Sequence, residues 1–321
     1  MFVAGILLFL LGITIYEVKV LNVTYLYNLV YNFWKAPVNQ VASNNNRTNI
    51  LVMGVGGKGH EGSDLTDTMM IVSISLSKPE ITIVSLPRDL WVPEIRAKIN
   101  SAYHYGGAAL AKISTERVTG VPIQYTALLD FSSFKNIVDA LGGIQVNVER
   151  SFTDKLYPIE GRENDTCGGS DPTFACRYET VSFNQGPQYM DGETALKFVR
   201  SRHAEGDEGT DQAREARQQK VIDAIKNKIL SPSTFLNINK DVELLRVAKS
   251  SIETDIDGPT AAILARKAFD GRYSVSKYLI PGELLINPPI SKTYDQQYVL
   301  IPQLGNGKWS DVNTWFASLL K

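Results

Sequence analysis

The chain has 321 residues, a formal net charge of -1, 44% hydrophobic residues and 21% charged residues. These are the proportions of a globular protein with a substantial core. They exclude the global positive field with which proteins grip a nucleic-acid backbone.

The length allows one large domain or two small ones, and no internal repeat divides it. Phe2 to Ile15 is almost purely apolar, and Glu17 and Lys19 interrupt it. The run is shorter than the roughly 20 residues that span a bilayer. It has neither a basic leader nor a small-residue cleavage site. Two readings stand: a short signal anchor, or a hydrophobic helix packed on the domain. Val20 to Trp34 stays aromatic and apolar, as suits a membrane interface or an amphipathic surface helix. Asn44-Asn45-Asn46 reads as a polar linker.

Asn49 to Val55 predicts a buried strand that runs into the glycine-rich turn Gly54 to Gly59. That turn is neither a P-loop nor a dinucleotide fingerprint. Thr68–Leu76 and Ile81–Leu86, separated by Ser77-Lys78-Pro79-Glu80, predict a hairpin. Pro87 stops the second strand and leaves Arg88 and Asp89 just past its end. Ala102 to Val118 reads as a helix weakened at Gly106-Gly107, and Ile123–Leu129 as a strand. Phe134, Ile137, Val138 and Leu141 recur at helical spacing, and Gly142-Gly143 supplies the C-terminal stop. Ile144, Val146 and Val148 alternate as a strand does.

Cys167 and Cys176 flank a Gly/Ser/Asp/Pro loop with no nearby histidine and no CxxC. A local disulfide fits an extracytoplasmic domain, and two unpaired thiols are the alternative. Asp191 to Val199 predicts a short helix and Asp211 to Leu230 a long one, ended by Ser231-Pro232-Ser233. Asp211 is its N-cap or lies in its first turn. Helical segments follow from Phe235, then short strands at Tyr278–Gly282 and Tyr298–Pro302. Strands interleaved with helices give a layered α/β domain.

Three arginine-bearing segments read together as an anion site: Ser85 to Asp89, Arg200 to His203, and Asp211 to Gln219. The acidic stretch Ser63 to Thr68 accompanies them. Forked guanidiniums suit phosphate oxygens, and carboxylates suit a divalent cation, so a phosphate held with a metal is the natural guest. Each piece also has a plainer explanation. Arg200 and Arg202 could be solvated. Arg214, Arg217 and Gln218, on one side of a helix, could be paired with Asp207, Asp211 or Glu215. Asp64 could cap a turn, and Asp67 could begin a strand. His60, His104 and His203 show no metal-ligand spacing, although His203 could assist at the site. No serine-centred nucleophile elbow or zinc motif occurs.

Taken in order, these segments resemble the LytR-CpsA-Psr family of cell-envelope proteins. The resemblance is carried by Asn49 to Val55, Thr66 to Met70, Ser85 to Asp89 and Lys98 to Tyr103. It continues through Val138 to Ile144, Met190 to Leu196, Arg200 to Arg202, and Asp211 to Gln219. It covers residues 48–230 most fully and the tail to Lys321 more loosely. It implies an anchor over 1–16, a juxtamembrane segment over 17–47 and a catalytic domain over 48–321. That domain would be a three-layer α/β/α fold whose central mixed β-sheet encloses a lipid-binding pocket.

The resemblance further implies Mg²⁺-assisted transfer of a phosphoglycan from a polyprenyl-pyrophosphate carrier to peptidoglycan. Mn²⁺ would be an alternative cation, the membrane a partner, and nucleic acid not one. By motif match, Arg88, Arg200, Arg202, Arg214 and Gln218 would hold the pyrophosphate, with Arg217 on the same helix and Lys98 at the rim. Asp67 would serve the metal and Asp211 would activate the acceptor. Many members carry an aspartate just after the first strand, where this chain has Gly56-Gly57, and Asp64 is the candidate replacement. Candidate lipid lining comes from Val72, Ile74, Ile83, Val84, Leu128, Ile137, Leu141, Leu196, Val199, Val221 and Ile225, all of which would serve equally as ordinary core. A lipid hydrolase that uses water as nucleophile and a non-catalytic lipid-binding or regulatory protein are the competing functions.

Overall fold

A computed structural model describes residues 31–57, 63–169, 171–229, 231, 244, 246–247 and 250–321. The anchor assigned to 1–16, Lys58 and Gly59 of the glycine-rich turn, and most of the helical stretch expected from Phe235 lie outside the described residues. Among the described residues no helix is long and apolar enough to cross a membrane.

A six-stranded sheet forms the centre. Its strands are β1 (Arg47–Val55), β2 (Thr66–Ser75), β3 (Ile81–Ser85), β6 (Tyr125–Asp130), β11 (Ile252–Thr254) and β12 (Val275–Leu279). Their order is β11-β6-β1-β2-β3-β12. β1, β2 and β3 run antiparallel, as the predicted hairpin required, with Ile71 opposite Val84. β6 lies parallel to β1 and β12 parallel to β3, while β11 is antiparallel to β6, so the sheet is mixed.

The period of two sorts the apolar residues onto two faces. Leu51, Met53, Met69, Ile71, Val84 and Leu128 pack under helices α1 (Ala102–Thr119) and α6 (Ser310–Leu319). Ile50, Val52, Val72, Ile74 and Ala127 pack under α5 (Gly258–Asp270). Helices therefore cover both faces, which gives the expected three-layer α/β/α arrangement. Gly106 and Gly107 leave helical geometry and kink α1, where the glycine pair weakened the helical pattern.

A second core lies beside the first. It joins α2 (Phe131–Ala140), α3 (Gly192–Arg200) and α4 (Asp211–Ile229) to two small sheets. One sheet pairs β7 (Ile144–Val148) with β10 (Gly186–Met190), and the other pairs β8 (Phe152–Pro158) with β9 (Tyr178–Phe183). The short pair β4 (Trp91–Val92) and β5 (Ala97–Lys98) completes the loop after β3. Gly192 is required at the start of α3, because a Cβ there would lie 2.4 Å from the carbonyl oxygen of Lys135 in α2. β8, β9 and β10 were absent from the sequence reading. Cys167 and Cys176 are joined as a disulfide that closes the excursion between β8 and β9.

The proposed lipid lining does not form one wall. Val72 and Ile74 belong to the face under α5, Val84 and Leu128 to the opposite face, and Leu141 and Val221 to the second core. Alternation along β2 and β3 separates these residues, which a list of apolar positions does not record.

Candidate functional site

Pro87 has no N–H to continue the β3 ladder, and the chain turns out of the sheet there. Arg88 is thereby carried to the sheet end, beside the start of β2. Its Nη1 donates to Asp67 Oδ1 at 3.0 Å. The same oxygen accepts from Arg202 Nη2 at 3.1 Å, so one carboxylate holds two guanidiniums more than a hundred residues apart in sequence. Arg88 Nε is buried without a hydrogen bond and lies 3.8 Å from Asp89 Oδ2. Asp89 also accepts from Lys98 Nζ at 2.7 Å, which fixes Lys98 on β5 beside Arg88. Asp67 remains 40% exposed, so the pair opens to solvent.

Arg200 is the last residue of α3, where a cation complements the carbonyl end of the helix. Its guanidinium lies 4.0 Å from the Phe131 ring centroid and 5.5 Å from that of Tyr157. Its Nη1 donates to the Tyr157 hydroxyl at 3.4 Å. Burial pushes the Tyr157 phenol up to about 12, so the hydroxyl keeps its proton at neutral pH. Phe131 immediately follows Asp130, whose carboxylate caps α2 by accepting from Ser133 N at 2.7 Å.

The turn after α3 carries Arg202 and is held on two sides. Asp154 of β8 is fully buried, and its Oδ2 accepts from the main-chain N–H groups of Arg202 at 2.9 Å and His203 at 3.1 Å. Arg217 of α4 is 2% exposed. It donates to the carbonyls of Phe198, Ser201 and Glu208 and to the Glu208 carboxylate. Burial lowers its pKa, and the neighbouring Glu208 opposes that shift. Arg217 therefore closes the carbonyl end of α3 with donors that the sequence reading had directed to a phosphate. The pattern found the residue and missed its task, because the spacing of a helix face does not say what that face meets.

Arg214 is buried one turn into α4, and Gln218 is half-buried one turn further on. Thr210, not Asp211, caps this helix, with its hydroxyl accepting from Ala213 N at 3.1 Å. Asp211 then occupies the first turn, and its assignment as acceptor activator concerns a side chain outside the described residues. Asp64 faces His104 Nδ1 at 3.9 Å and is largely exposed, and among the described residues its partners, His104 and Ser63, are not those of Asp67. The carboxylate beside Gly57 belongs to Asp130 instead: a Cβ on Gly57 would lie 3.2 Å from Asp130 Oδ2. His203 is exposed, and His60 lies outside the described residues.

Asp67 suits a Mg²⁺ ligand, since that ion takes one or two carboxylates and completes its shell with phosphate and water. Among the described residues the only three-residue cluster of metal-binding type is Asp165, Cys167 and Cys176. Its two sulfurs are joined to each other.

Asp154, Tyr157 and Phe131 are the residues that sequence reasoning missed. The available signal was the alternation of Val181 and Phe183, which marks the strand paired with β8.

The family model described as LytR_cpsA_psr matches residues 30–306. The polyisoprenyl-teichoic acid–peptidoglycan teichoic acid transferase TagU of Enterococcus faecalis is 29% identical over 252 residues, covering 76% of this chain and 73% of that protein. TagU of Bacillus subtilis is 29% identical over 212 residues, which are 64% of this chain and 59% of the relative. The crystal structure of B. subtilis TagV shares the fold, with a TM-score of 0.62 and 22% identity across 87% of this chain and 98% of that one. Matched over most of its length, the chain belongs to the LytR-CpsA-Psr family.

Proposed function

We propose that this protein transfers a phosphate-linked glycan from a polyprenyl-pyrophosphate carrier to peptidoglycan at the outer face of a bacterial membrane, and releases polyprenyl phosphate. The observation that carries this reading is the shared Asp67 oxygen, which brings Arg88 from the sheet and Arg202 from the α3 turn side by side. The names of the relatives support the glycan and the acceptor. Phosphoryl transfer needs aligned reactants and stabilised charge more than covalent chemistry by the protein. Arg88, Arg202 and the stacked Arg200 would present planar cationic forks to phosphate oxygens. Lys98 adds charge beside Arg88. Mg²⁺ held by Asp67 would neutralise developing charge on the phosphates. An acceptor sugar hydroxyl attacks one phosphorus as the polyprenyl phosphate leaves, and Asp211 is assigned to accept or orient the hydroxyl proton.

The full chain, incubated with a lipid-linked glycan, Mg²⁺ and peptidoglycan fragments, is expected to give a glycan–peptidoglycan conjugate. Free phosphoglycan would instead identify a hydrolase, and binding without turnover a lipid-binding module. Asp67→Asn is expected to raise the Mg²⁺ concentration needed for half-maximal transfer. Unchanged transfer at limiting Mg²⁺ removes Asp67 from the metal.

A further inference from the structure

β8 does something a regular strand cannot. Positions three apart in a strand point to opposite faces, yet Asp154 and Tyr157 are both buried, at 0% and 3% exposure. The register explains it: Asp154 pairs with Val181 and Tyr157 with Glu179, so the pairing with β9 is irregular between them. Lys155 and Leu156 bulge out to solvent, and Leu156 N donates back to Asp154 Oδ1 at 3.0 Å, which closes the bulge. Bulges of this kind re-aim side chains and are frequent beside active sites.

The two re-aimed side chains reach two arginines on either side of Ser201. Asp154 binds the main-chain N–H of Arg202, and Tyr157 meets the guanidinium of Arg200. A buried carboxylate is costly unless its lone pairs are used. Here three main-chain N–H donors use them, and in return the carboxylate fixes the direction in which Arg202 leaves the turn. Tyr157 and Phe131 limit the Arg200 guanidinium to one plane.

We propose that Asp154 and Tyr157 are positioning residues: through the β8 bulge they aim Arg202 and Arg200 at one phosphate group without touching it. This rests on the reading of those arginines as phosphate ligands. The binding contribution of each arginine then depends on a strand that the sequence pattern did not reveal.

The test is a double-mutant cycle read as affinity of the full chain in detergent for geranylgeranyl pyrophosphate, with thermal melts to confirm folding. Tyr157→Phe keeps the ring and removes the hydroxyl, and it is expected to weaken binding about three- to tenfold, the size of one hydrogen bond. In an Arg200→Ala background the same change is expected to have no effect, because residues acting through one another are not additive. Asp154→Asn paired with Arg202→Ala is expected to behave alike. If Tyr157→Phe costs the same in both backgrounds, or nothing in the parent, the positioning role is overturned while the phosphate reading stands. If Arg200→Ala and Arg202→Ala are themselves silent, the phosphate reading falls and takes the positioning role with it.

Discussion

Arg88 and Arg202 grip the same oxygen but owe their places to different kinds of structure. Arg88 stands at the end of a strand whose register is set by backbone pairing across β2 and β3 and by an apolar face on each side. Arg202 stands on a turn that main-chain pairing ties to β8 only through the single bridge of Asp154 with Ala204. Side chains hold it: Asp154 from below and Arg217 from behind. An arginine placed by a ladder should tolerate changes among its neighbours. One placed by buried charged groups should be lost when either of them is changed.

The sharpest way to break the contrast is Arg217→Met. It leaves three carbonyls without their donor and Glu208 with Arg150 as its remaining cation, and burying such unsatisfied groups typically costs about 1–3 kcal/mol. A drop of that size in unfolding free energy, measured by urea denaturation, is expected. A loss of less than about 1 kcal/mol would mean that the turn holds itself. Next is the disulfide. Replacing both Cys167 and Cys176 by serine releases a short closed loop, for which the chain-entropy model gives roughly 3 kcal/mol at most. The loss should fall on the second core and leave phosphate binding through Arg88 intact, which hydrogen exchange resolved by segment would reveal.

Arg88→Ala should do the reverse. Unfolding is expected to be nearly unchanged, while affinity for a polyprenyl pyrophosphate falls by about 1.5–3 kcal/mol, the worth of a hydrogen bond to a charged group. Arg88→Lys would restore only part, because the fork is lost. Equal loss of stability in Arg88→Ala and Arg217→Met would erase the distinction between the two supports. The smallest effect belongs to Asp191, which caps α3 by accepting from Thr194 N at 2.8 Å. Hydrogen bonds from the Thr194 side chain and main chain lower its pKa below the usual carboxylate value. Its contribution is thus present above the unfolded pKa near 3.9 and fades as pH falls through the lower folded value. Asp191→Ala should cost about 1 kcal/mol at neutral pH, and the difference from the parent should shrink in acid. A gap constant from pH 6 to pH 2 would deny Asp191 the role of charged cap.

The same division explains what could be read without coordinates. β1 and β2 were legible because Leu51 and Ile71 sit in unbroken apolar runs, β3 because Ile81 to Val84 are all β-branched, and α2 because Phe134, Ile137 and Val138 keep helical spacing. Arg88 was legible because Pro87 marks where a strand ends. The support under Arg202 was not. β8 places a carboxylate inward at Asp154 and a leucine outward at Leu156, which inverts the pattern on which strand recognition relies. Arg217 was visible as an arginine on a helix, but its partners are main-chain carbonyls of Phe198 and Ser201, and carbonyls leave no mark in a sequence. The caps of α4 were resolved only to within one residue, because Thr210 and Asp211 are both good capping residues.

The order of strands in the central sheet has a consequence for how the molecule is made. The four inner strands, β6-β1-β2-β3, are complete by Asp130, whereas both outer strands arrive after residue 250. During synthesis the sheet must wait, with the amide rows of β3 and β6 uncovered, until Ile252–Thr254 and Val275–Leu279 emerge. Bare sheet edges are templates for pairing with another chain. A chain cut short before residue 250 would therefore keep its apolar sheet and lose both guards, and self-association rather than simple unfolding is its expected fate.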